Sequence, residues 1–519
     1  MTVEIGGARA YHDATKHSRE SVYASRHALD WDQKPLPFKI YPDAPATALP
    51  RGVASPARPT LEVLTRLPPP SGGARVDLAT LAGLLFYAAG LTKKKSYPGG
   101  EAVYFRAAAS TGALYEIEVY AVTGPIPGLD PGVYHFSPGD FDLRRLRAGD
   151  SRQALAAAAS DPSRVRTAPA TLVLSALYWR NTWKYQARAF RHFFWDAGTM
   201  AANLLATATA LEVRARALLG FVDREVNALL GLDPAREGAL LLVPLGEGSP
   251  PPERVPPLEP LTARTIPLSR REVDYPLVRA AYAASALPDG AAARVWGTAV
   301  PSSGGEPDRL PPPPSPPLGE VIRRRGSTRQ FAREPITEAD LSTILETSVR
   351  DLPLDVAAHP RPLVELYLLV HAVTGLTAGA YGYDPARRTL RLLRPGKFRR
   401  EGGELCLGQP LAADASAVVF FLSDLAAVLG SLGDRGYRAT NFAAGLLGGR
   451  LYLAAYARGL GASGLTFFDD DVVRFFLPDA AGLDAIFVTA LGRAARPTGS
   501  DGFAPIAGEI RLLRPGQAG

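Results

Sequence analysis

The chain contains one sequence pattern twice, and this duplication constrains its fold more than any other feature. The segment GLDPGVYHF begins at Gly128 and recurs as GLTAGAYGY at Gly375, a shift of 247 positions. Without a gap, the same shift aligns identical residues over about a hundred positions, among them Glu118 with Glu365, Tyr120 with Tyr367, Leu143 with Leu390, Arg188 with Arg435, Arg191 with Arg438, and Gly198 with Gly445. Because a chance alignment does not hold its register for so long, we predict two duplicated domains.

Local patterns predict that each half mixes helices and strands. Residues 78–90 repeat apolar side chains every three or four positions, as amphipathic helices do. Residues 116–122 and 364–370 are rich in β-branched and aromatic side chains, which is typical of strands. Long helices are predicted over about 185–211 and 435–460. We therefore predict an α+β fold in which helices cover the strands.

Proline-rich stretches and the limits of the repeat divide the chain. The predicted units are a lead-in segment (1–60), a first domain (61–247), a proline-rich connector (248–318), a second domain (319–496) and a tail (497–519). Runs such as RLPPPPSPP in the connector are typical of polyproline II spacers. Residues 268–287 keep helical spacing, so we expect the connector to pack partly against the domains.

Composition narrows the class of protein. Of 519 residues, 46% are hydrophobic and 21% charged, which excludes disordered and coiled-coil chains. The net charge of +7 suits an anionic cofactor but is too small to argue for nucleic acid. A single cysteine, Cys406, excludes disulfide frameworks and thiolate zinc sites. The longest apolar run, 415–430, is too short to cross a membrane, so we expect a cytoplasmic protein without membrane or nucleic-acid partners.

Differences between the two copies separate scaffold from chemistry. The second half carries Arg325, Ser327 and Arg329 in the sequence RGSTRQF, and guanidiniums beside a hydroxyl suit a phosphate or another polyanion. A solvated basic helix start is the alternative interpretation. The equivalent stretch of the first half, 64–71, reads LTRLPPPS and cannot bind an anion in this way.

The first half keeps a different set. Residues 110–113, STGA, are small and hydrogen-bonding, which suits close approach of the backbone to a flat ligand. Their counterparts at 357–360 are AAHP. The pair Lys184–Tyr185 has become Ser431–Leu432, so these two residues are candidates for chemistry. The alternative for Lys184 is a salt bridge to a carboxylate.

These losses are complementary. Arg188 and Arg191 match in both copies and are interpreted as salt-bridged scaffold. Near the end of the second half, Arg493 stands where the first half has Glu247. If the halves pack as a pseudo-symmetric dimer, one junction receives every functional part and the other receives none. We therefore predict one composite site per chain.

These residues resemble motifs of the FMN-dependent nitroreductase superfamily, and within it of the SagB/ThcOx-type dehydrogenases that include azoline oxidases. Residues 325–331 are similar to its Arg-x-Ser-x-Arg/Lys-x-Phe signature, and residues 110–115 to its Pro-Ser-Ala-Gly-Ala-Leu-Tyr loop. Here Ala109 replaces the proline and Thr111 the first alanine. Residues 184–191 resemble the Lys-Tyr-x-x-Arg-x-x-Arg segment of azoline oxidases.

The resemblance implies two fused nitroreductase-like domains, each with a mainly antiparallel sheet, in an intramolecular pseudo-dimer. It implies that FMN binds where the arginine motif of one half meets the small-residue loop of the other. The residues implied to bind FMN are Arg325, Ser327, Arg329, Ser110, Thr111, Gly112, Ala113, Gly464 and Arg493, and the catalytic residues are Lys184 and Tyr185.

The reaction expected from this resemblance is a two-electron dehydrogenation of an azoline-like or peptide-derived intermediate. Lys184 or Tyr185 would take a proton from the substrate while hydride passes to the flavin. One alternative is an NAD(P)H-dependent reductase of nitro or quinone compounds. An alternative of another class is a flavin-free scaffold in a biosynthetic complex.

Other motifs favour structural interpretations. The GLGASG sequence that ends at Gly464 follows a predicted helix, whereas a dinucleotide fingerprint follows a strand. His12 and His17 have no carboxylate or cysteine set to complete a metal site. Asp470 aligns with Asp223 and is predicted to cap a helix. We therefore predict no metal centre.

Overall fold

The computed structural model describes residues 6–69, 71–96, 102–251, 259–297, 311–350, 352–356 and 362–496. The predicted counterpart of the small-residue loop, 357–360, and the tail, 497–519, lie outside the described residues.

Helices and strands alternate through both halves. The helices are α1 (Gly7–Ala14), α2 (Arg19–Ala24), α3 (Thr60–Leu64), α4 (Leu78–Ala89), α5 (Arg152–Ala158), α6 (Pro162–Thr167), α7 (Tyr178–Tyr185), α8 (Ala189–Ala210), α9 (Asp223–Leu230), α10 (Pro276–Ala284), α11 (Gly290–Trp296), α12 (Leu318–Arg324), α13 (Glu338–Val349), α14 (Arg399–Leu405), α15 (Pro410–Asp414), α16 (Leu425–Leu432), α17 (Arg435–Ala457) and α18 (Asp469–Phe475). Short 3₁₀ turns occupy Trp31–Gln33, Thr111–Ala113 and Gln186–Arg188. None of the helices in the described ranges combines the length and apolar character needed to cross a membrane.

The strands are β1 (Ala46–Ala48), β2 (Leu91–Ser96), β3 (Ala102–Arg106), β4 (Ile117–Thr123), β5 (Gly132–Ser137), β6 (Asp142–Ala148), β7 (Ala170–Leu177), β8 (Glu237–Leu245), β9 (Ile336–Thr337), β10 (Glu365–Val370), β11 (Val373–Thr374), β12 (Gly379–Asp384), β13 (Thr389–Pro395), β14 (Ala417–Ser423), β15 (Gly461–Gly464) and β16 (Asp484–Gly492). The predicted strands at 116–122 and 364–370 correspond to β4 and β10 within one residue.

Each half contains one six-stranded sheet. The strand orders are β1-β6-β5-β4-β7-β8 and β13-β12-β10-β14-β16-β15, and all strand pairs within them are antiparallel. The registers repeat as the sequence does, since Tyr120 lies opposite His135 and Tyr367 opposite Gly382. The predicted α+β fold with two mainly antiparallel sheets is confirmed.

Two long helices, α8 and α17, join the halves. They approach so closely at Gly198 and Gly445 that a Cβ atom on Gly198 would lie 2.5 Å from the backbone nitrogen of Leu446. Both copies therefore keep a glycine here, because the facing backbones leave no room for a side chain. The first long helix begins at Ala189 rather than at about 185, because Gln186 has a φ of 50° that interrupts the helix after α7.

Buried ion pairs cross between the halves in both directions. Asp469 of the second half binds Arg188 at 2.9 Å and Arg191 at 2.6 Å. Asp223 of the first half binds Arg435 and Arg438 in the same way, at 2.5 and 2.6 Å. The arginines are the salt-bridged scaffold that the sequence predicts. The predicted role of Asp470 is wrong, because helix α18 begins one residue earlier than the repeat implies.

Part of the lead-in segment, from Lys39 to β1, packs against the first sheet. Lys39 donates a hydrogen bond to the Tyr120 hydroxyl at 2.8 Å and pairs with Glu237, and β1 extends the sheet by pairing with β6. In the second half a cavity of about 970 Å³ is lined by residues of the sheet, such as Glu365 and Tyr367, and by Ala443 of helix α17. The two duplicated sheets therefore differ in what lies against them.

Candidate functional site

The small-residue loop is held in place by a buried carboxylate. Thr111 donates from its backbone nitrogen and from its hydroxyl to the two oxygens of Asp196, each at 2.7 Å. The Ser110 hydroxyl accepts a hydrogen bond from the backbone nitrogen of Tyr115 at 2.9 Å. Gly112 has a φ of 65°, a left-handed conformation that favours glycine. The loop is thus anchored from below, with Gly112 exposed.

Tyr185 lies against this loop. A Cβ atom on Gly112 would lie 2.8 Å from the Tyr185 hydroxyl, so glycine is required for the contact. Tyr185 ends helix α7, and its ring meets the His192 ring edge-on at 4.5 Å between centroids. Burial raises the pKa of Tyr185, and the carboxyl groups of Asp196 and Glu116 raise it further. The phenol therefore stays protonated at neutral pH.

Lys184 is half-buried beside Tyr185, with its Nζ atom 5.4 Å from the centre of that ring. Burial lowers the pKa of Lys184, and the positive charge of Arg329 from the second half lowers it further. Within the described part of the chain no carboxylate forms an ion pair with Lys184, which weighs against the purely structural alternative. The lysine is therefore suited to accept a proton.

The arginine motif of the second half reaches into the first half. Arg325 follows the end of helix α12, so a solvated helix start does not describe it. Its Nε atom donates to the carbonyl oxygen of Ala107 at 3.0 Å, and a second nitrogen donates to that of Arg106 at 3.2 Å. Lys93 of the first half approaches the same place, and burial together with Arg325 lowers its pKa to about 8. Cations from both halves thus converge.

The remaining predicted FMN-binding residues of the second half lie in segments that adjoin the arginine motif. Ser327 is 3.3 Å from the Tyr452 hydroxyl, which accepts a hydrogen bond from the backbone nitrogen of Gly464 at 2.6 Å. Gly464 belongs to strand β15 and follows a helix, so its GLGASG sequence is not a dinucleotide fingerprint. Arg493 is 47% exposed and lies 3.8 Å from Glu334, beside the segment that carries the arginine motif.

The structure brings most of the predicted site residues to one junction. The loop at 110–113 and the Lys184–Tyr185 pair come from the first half, and Arg325 and Arg329 reach them from the second. Sequence reasoning missed Lys93, Glu116 and Asp196. The 247-residue shift carries a signal for the last two, because their counterparts are Leu363 and Ala443.

A second cluster of ionisable side chains lies where α1 meets the second half. His12, Asp13 and Asp484 approach closely enough to hold a metal ion, although the sequence offered His12 no carboxylate partner. Arg9 and Lys16, however, already pair with these carboxylates. Burial and Arg191 lower the pKa of His12 to about 4. These contacts favour a structural role in attaching α1 to the second half.

Comparison with known proteins decides the family. The sequence profile of the nitroreductase family matches the chain twice, over residues 76–247 and 322–492. The chain belongs to the nitroreductase family. Its members are oxidoreductases that bind FMN.

Two relatives agree with this assignment, and a third solved structure is similar to part of the chain. A crystal structure of an Anabaena variabilis protein named as a nitroreductase has a TM-score of 0.69 and 30% identity, covering 94% of this chain and 99% of its own. A Methanocaldococcus jannaschii protein also named as a nitroreductase is 30% identical over 171 residues, which are 33% of this chain and 81% of that protein. A Desulfovibrio desulfuricans nitroreductase in complex with FMN is 20% identical, with a TM-score of 0.25, and covers 38% of this chain and 97% of its own.

The residues at the junction fit an FMN molecule. Guanidinium and ammonium groups are suitable partners for its phosphate, and Arg325 and Lys93 supply them. The exposed Gly112, whose missing side chain admits Tyr185, leaves the loop thin enough to lie against a flat ring system. Buried Thr328 has a hydroxyl without a hydrogen-bond partner among the described residues, next to the arginine motif.

Proposed function

We propose that this nitroreductase-family oxidoreductase is an FMN-dependent dehydrogenase of the SagB/ThcOx type with one composite site per chain. Its substrate would be an azoline-like or peptide-derived intermediate. The observation that carries the proposal is the contact between halves, in which Arg325 and Arg329 of the second approach the loop and the Lys184–Tyr185 pair of the first.

The cofactor's binding groups would come from both halves. Arg325, Arg329 and Lys93 would hold its phosphate and polar ring edge, and the hydroxyls of Ser327 and Ser110 would add hydrogen bonds. Bound FMN supplies a two-electron acceptor for hydride.

Lys184 and Tyr185 would divide the proton chemistry. Lys184, whose pKa is lowered by burial and by Arg329, would accept the proton that leaves the substrate carbon. Tyr185, whose pKa is raised by burial and by Asp196, would remain a phenol and donate a hydrogen bond to a substrate heteroatom. The sequence left open which of the two residues accepts the proton, and this assignment gives that role to Lys184.

A reductase that takes electrons from NAD(P)H is the second candidate, because one relative that covers most of the chain and another that covers a third of it are both named as nitroreductases. It would use the same junction, but the flavin would give electrons to the substrate instead of taking them from it. The flavin-free scaffold is less favoured, because it gives no reason for the first half to keep the loop at 110–113 and the Lys184–Tyr185 pair where the second half has lost them.

The direction of electron transfer separates these candidates. We would mix the FMN-loaded chain anaerobically with a thiazoline-containing peptide or with NAD(P)H and follow the flavin absorbance. The proposal expects bleaching by the thiazoline and formation of a thiazole, with both lost in Lys184→Ala. Rapid bleaching by NAD(P)H alone would support the reductase instead.

A further inference from the structure

Two buried carboxyl groups, Glu116 and Asp196, lie behind the small-residue loop. Asp196 accepts both hydrogen bonds of Thr111, and the Glu116 carboxylate lies 3.4 Å from the Ser110 hydroxyl. Both carboxyl groups are buried, 0% and 4% exposed, beside these two adjacent loop residues, and Asp196 raises the pKa of Glu116 both by its charge and as a hydrogen-bond partner. Because a carboxylate has no hydrogen to donate, a hydrogen bond between the two requires a proton on one of them.

Among the described residues, neither Glu116 nor Asp196 forms an ion pair with a basic side chain. Burial raises the pKa of Glu116, and Asp196 raises it further. Burial likewise raises the pKa of Asp196, despite the two hydrogen bonds from Thr111. The other titratable groups that face the pair are the Arg106 guanidinium, the phenols of Tyr115 and Tyr185, and the His192 imidazole, which lies against Tyr185 and whose pKa burial holds well below its usual range. One negative charge on two carboxyl groups is the state that these contacts favour.

Polar side chains lie between the pair and Tyr185. Asn181 lies near Glu116, and its side-chain oxygen is 2.9 Å from the His192 Nδ1 atom, whereas its side-chain nitrogen has no hydrogen-bond partner among the described residues. The His192 ring in turn meets the Tyr185 ring. On the other side, Thr111 binds Asp196 while its neighbour Gly112 contacts the Tyr185 hydroxyl.

The duplication provides an internal control for this network. At a shift of 247, apolar residues replace its four buried polar members: Glu116 becomes Leu363, Asn181 becomes Val428, His192 becomes Ala439 and Asp196 becomes Ala443. The scaffold residues on the same helices, such as Arg191 and Gly198, are identical in both halves. The fold therefore tolerates apolar side chains at these four positions. The polar side chains occur in the half that carries Lys184–Tyr185.

We propose that Glu116 and Asp196 share a single proton and act as positioning residues, fixing the loop through Thr111 and opposing the ionisation of Tyr185. This inference rests on the proposed function for the role of Tyr185, whereas the shared proton itself does not depend on it. The pair retains one negative charge next to the phenol, and that charge opposes ionisation of Tyr185.

Infrared spectroscopy tests the shared proton without any enzyme assay. At neutral pH the full-length protein should show the C=O stretching band of a protonated carboxylic acid, and Glu116→Gln should lose it. Asp355→Asn, at a buried carboxyl group elsewhere, serves as the matched control and should retain that band. A wild-type spectrum identical to that of Glu116→Gln in this region would overturn the proposal.

Titration of Tyr185 tests the effect of the charge. Its ionisation is measured by ultraviolet difference spectra against Tyr185→Phe. Glu116→Gln leaves one negative charge on Asp196 and should not shift the titration, whereas Glu116→Gln/Asp196→Asn removes the charge and should shift it downward by about one pH unit. Equal titration curves for all three proteins would refute the positioning role.

If the double variant does not fold, the infrared comparison decides alone. Failure of the proposed function would leave both spectroscopic results unchanged, so the two failures are distinguishable.

Discussion

Replacement of Asp469 by asparagine tests how the two halves are held together. Asp469 is 1% exposed and binds Arg188 and Arg191 of the other half. Burial opposes its ionisation, but the two arginines outweigh burial and lower its pKa from 3.8 to about 2. A difference of this size corresponds to about 2 kcal/mol of stability at neutral pH. Because asparagine leaves both arginines buried without their counter-charge, we expect Asp469→Asn to cost about 3–5 kcal/mol.

The stability that Asp469 contributes should decrease as the pH falls. A carboxyl group whose pKa is lower in the folded protein stabilises it above the unfolded pKa, and this contribution is lost as pH falls. Between pH 7 and pH 3 the wild-type protein should lose about half of the Asp469 contribution, and the variant should lose none of it.

Urea unfolding at several pH values measures both effects. Asp470→Asn is the matched control, because Asp470 lies in the same helical turn but is 61% exposed, and its pair with Lys16 should contribute at most about 1 kcal/mol. Equal losses for the two variants at neutral pH would refute the account of the interface between the halves.

Four further changes have defined outcomes. Lys184→Ala should leave FMN bound and lower turnover of the azoline substrate by about 10²–10⁴-fold, measured as kcat. Arg329→Gln removes a cation that lowers the pKa of Lys184, so the rising limb of the pH–rate profile should move to higher pH. Arg325→Gln should weaken FMN binding by about 10–100-fold in a fluorescence titration, because a charge-assisted hydrogen bond contributes about 1.5–3 kcal/mol. Gly198→Ala should lower the free energy of unfolding by about 1–3 kcal/mol or more, since its Cβ atom would lie 2.5 Å from the facing backbone, whereas Gly430→Ala, with no atom within 4 Å, should not.

The sequence predicts the fold well because the duplication presents each helix and strand in two copies that can be compared. Both sheets, both central helices and the scaffold arginines follow from residues that match at a shift of 247. The gap-free alignment of the two copies gives the wrong residue at the start of helix α18. Asp469 rather than Asp470 corresponds to Asp223, because helix α18 starts one position earlier than a gap-free alignment allows.

The site is only partly predictable from the sequence. Arg325, Lys184 and the loop at 110–113 stand out because their counterparts have lost the same chemistry. Lys93 lies in the run Lys93–Lys95 and has no distinguishing pattern, and only the fold brings it to Arg325. Glu116 and Asp196 are 80 positions apart in sequence, so their contact depends on how β4 packs against α8.

The central claim is that one working site forms per chain, where the second half's arginines meet the first half's loop. The most direct measurement is the visible spectrum of the purified protein, followed by quantification of the flavin released on denaturation. The account predicts close to one FMN per chain, and less flavin retained on purification of Arg325→Gln, which binds FMN more weakly. Two FMN molecules per chain, or none even after FMN is added, would contradict it.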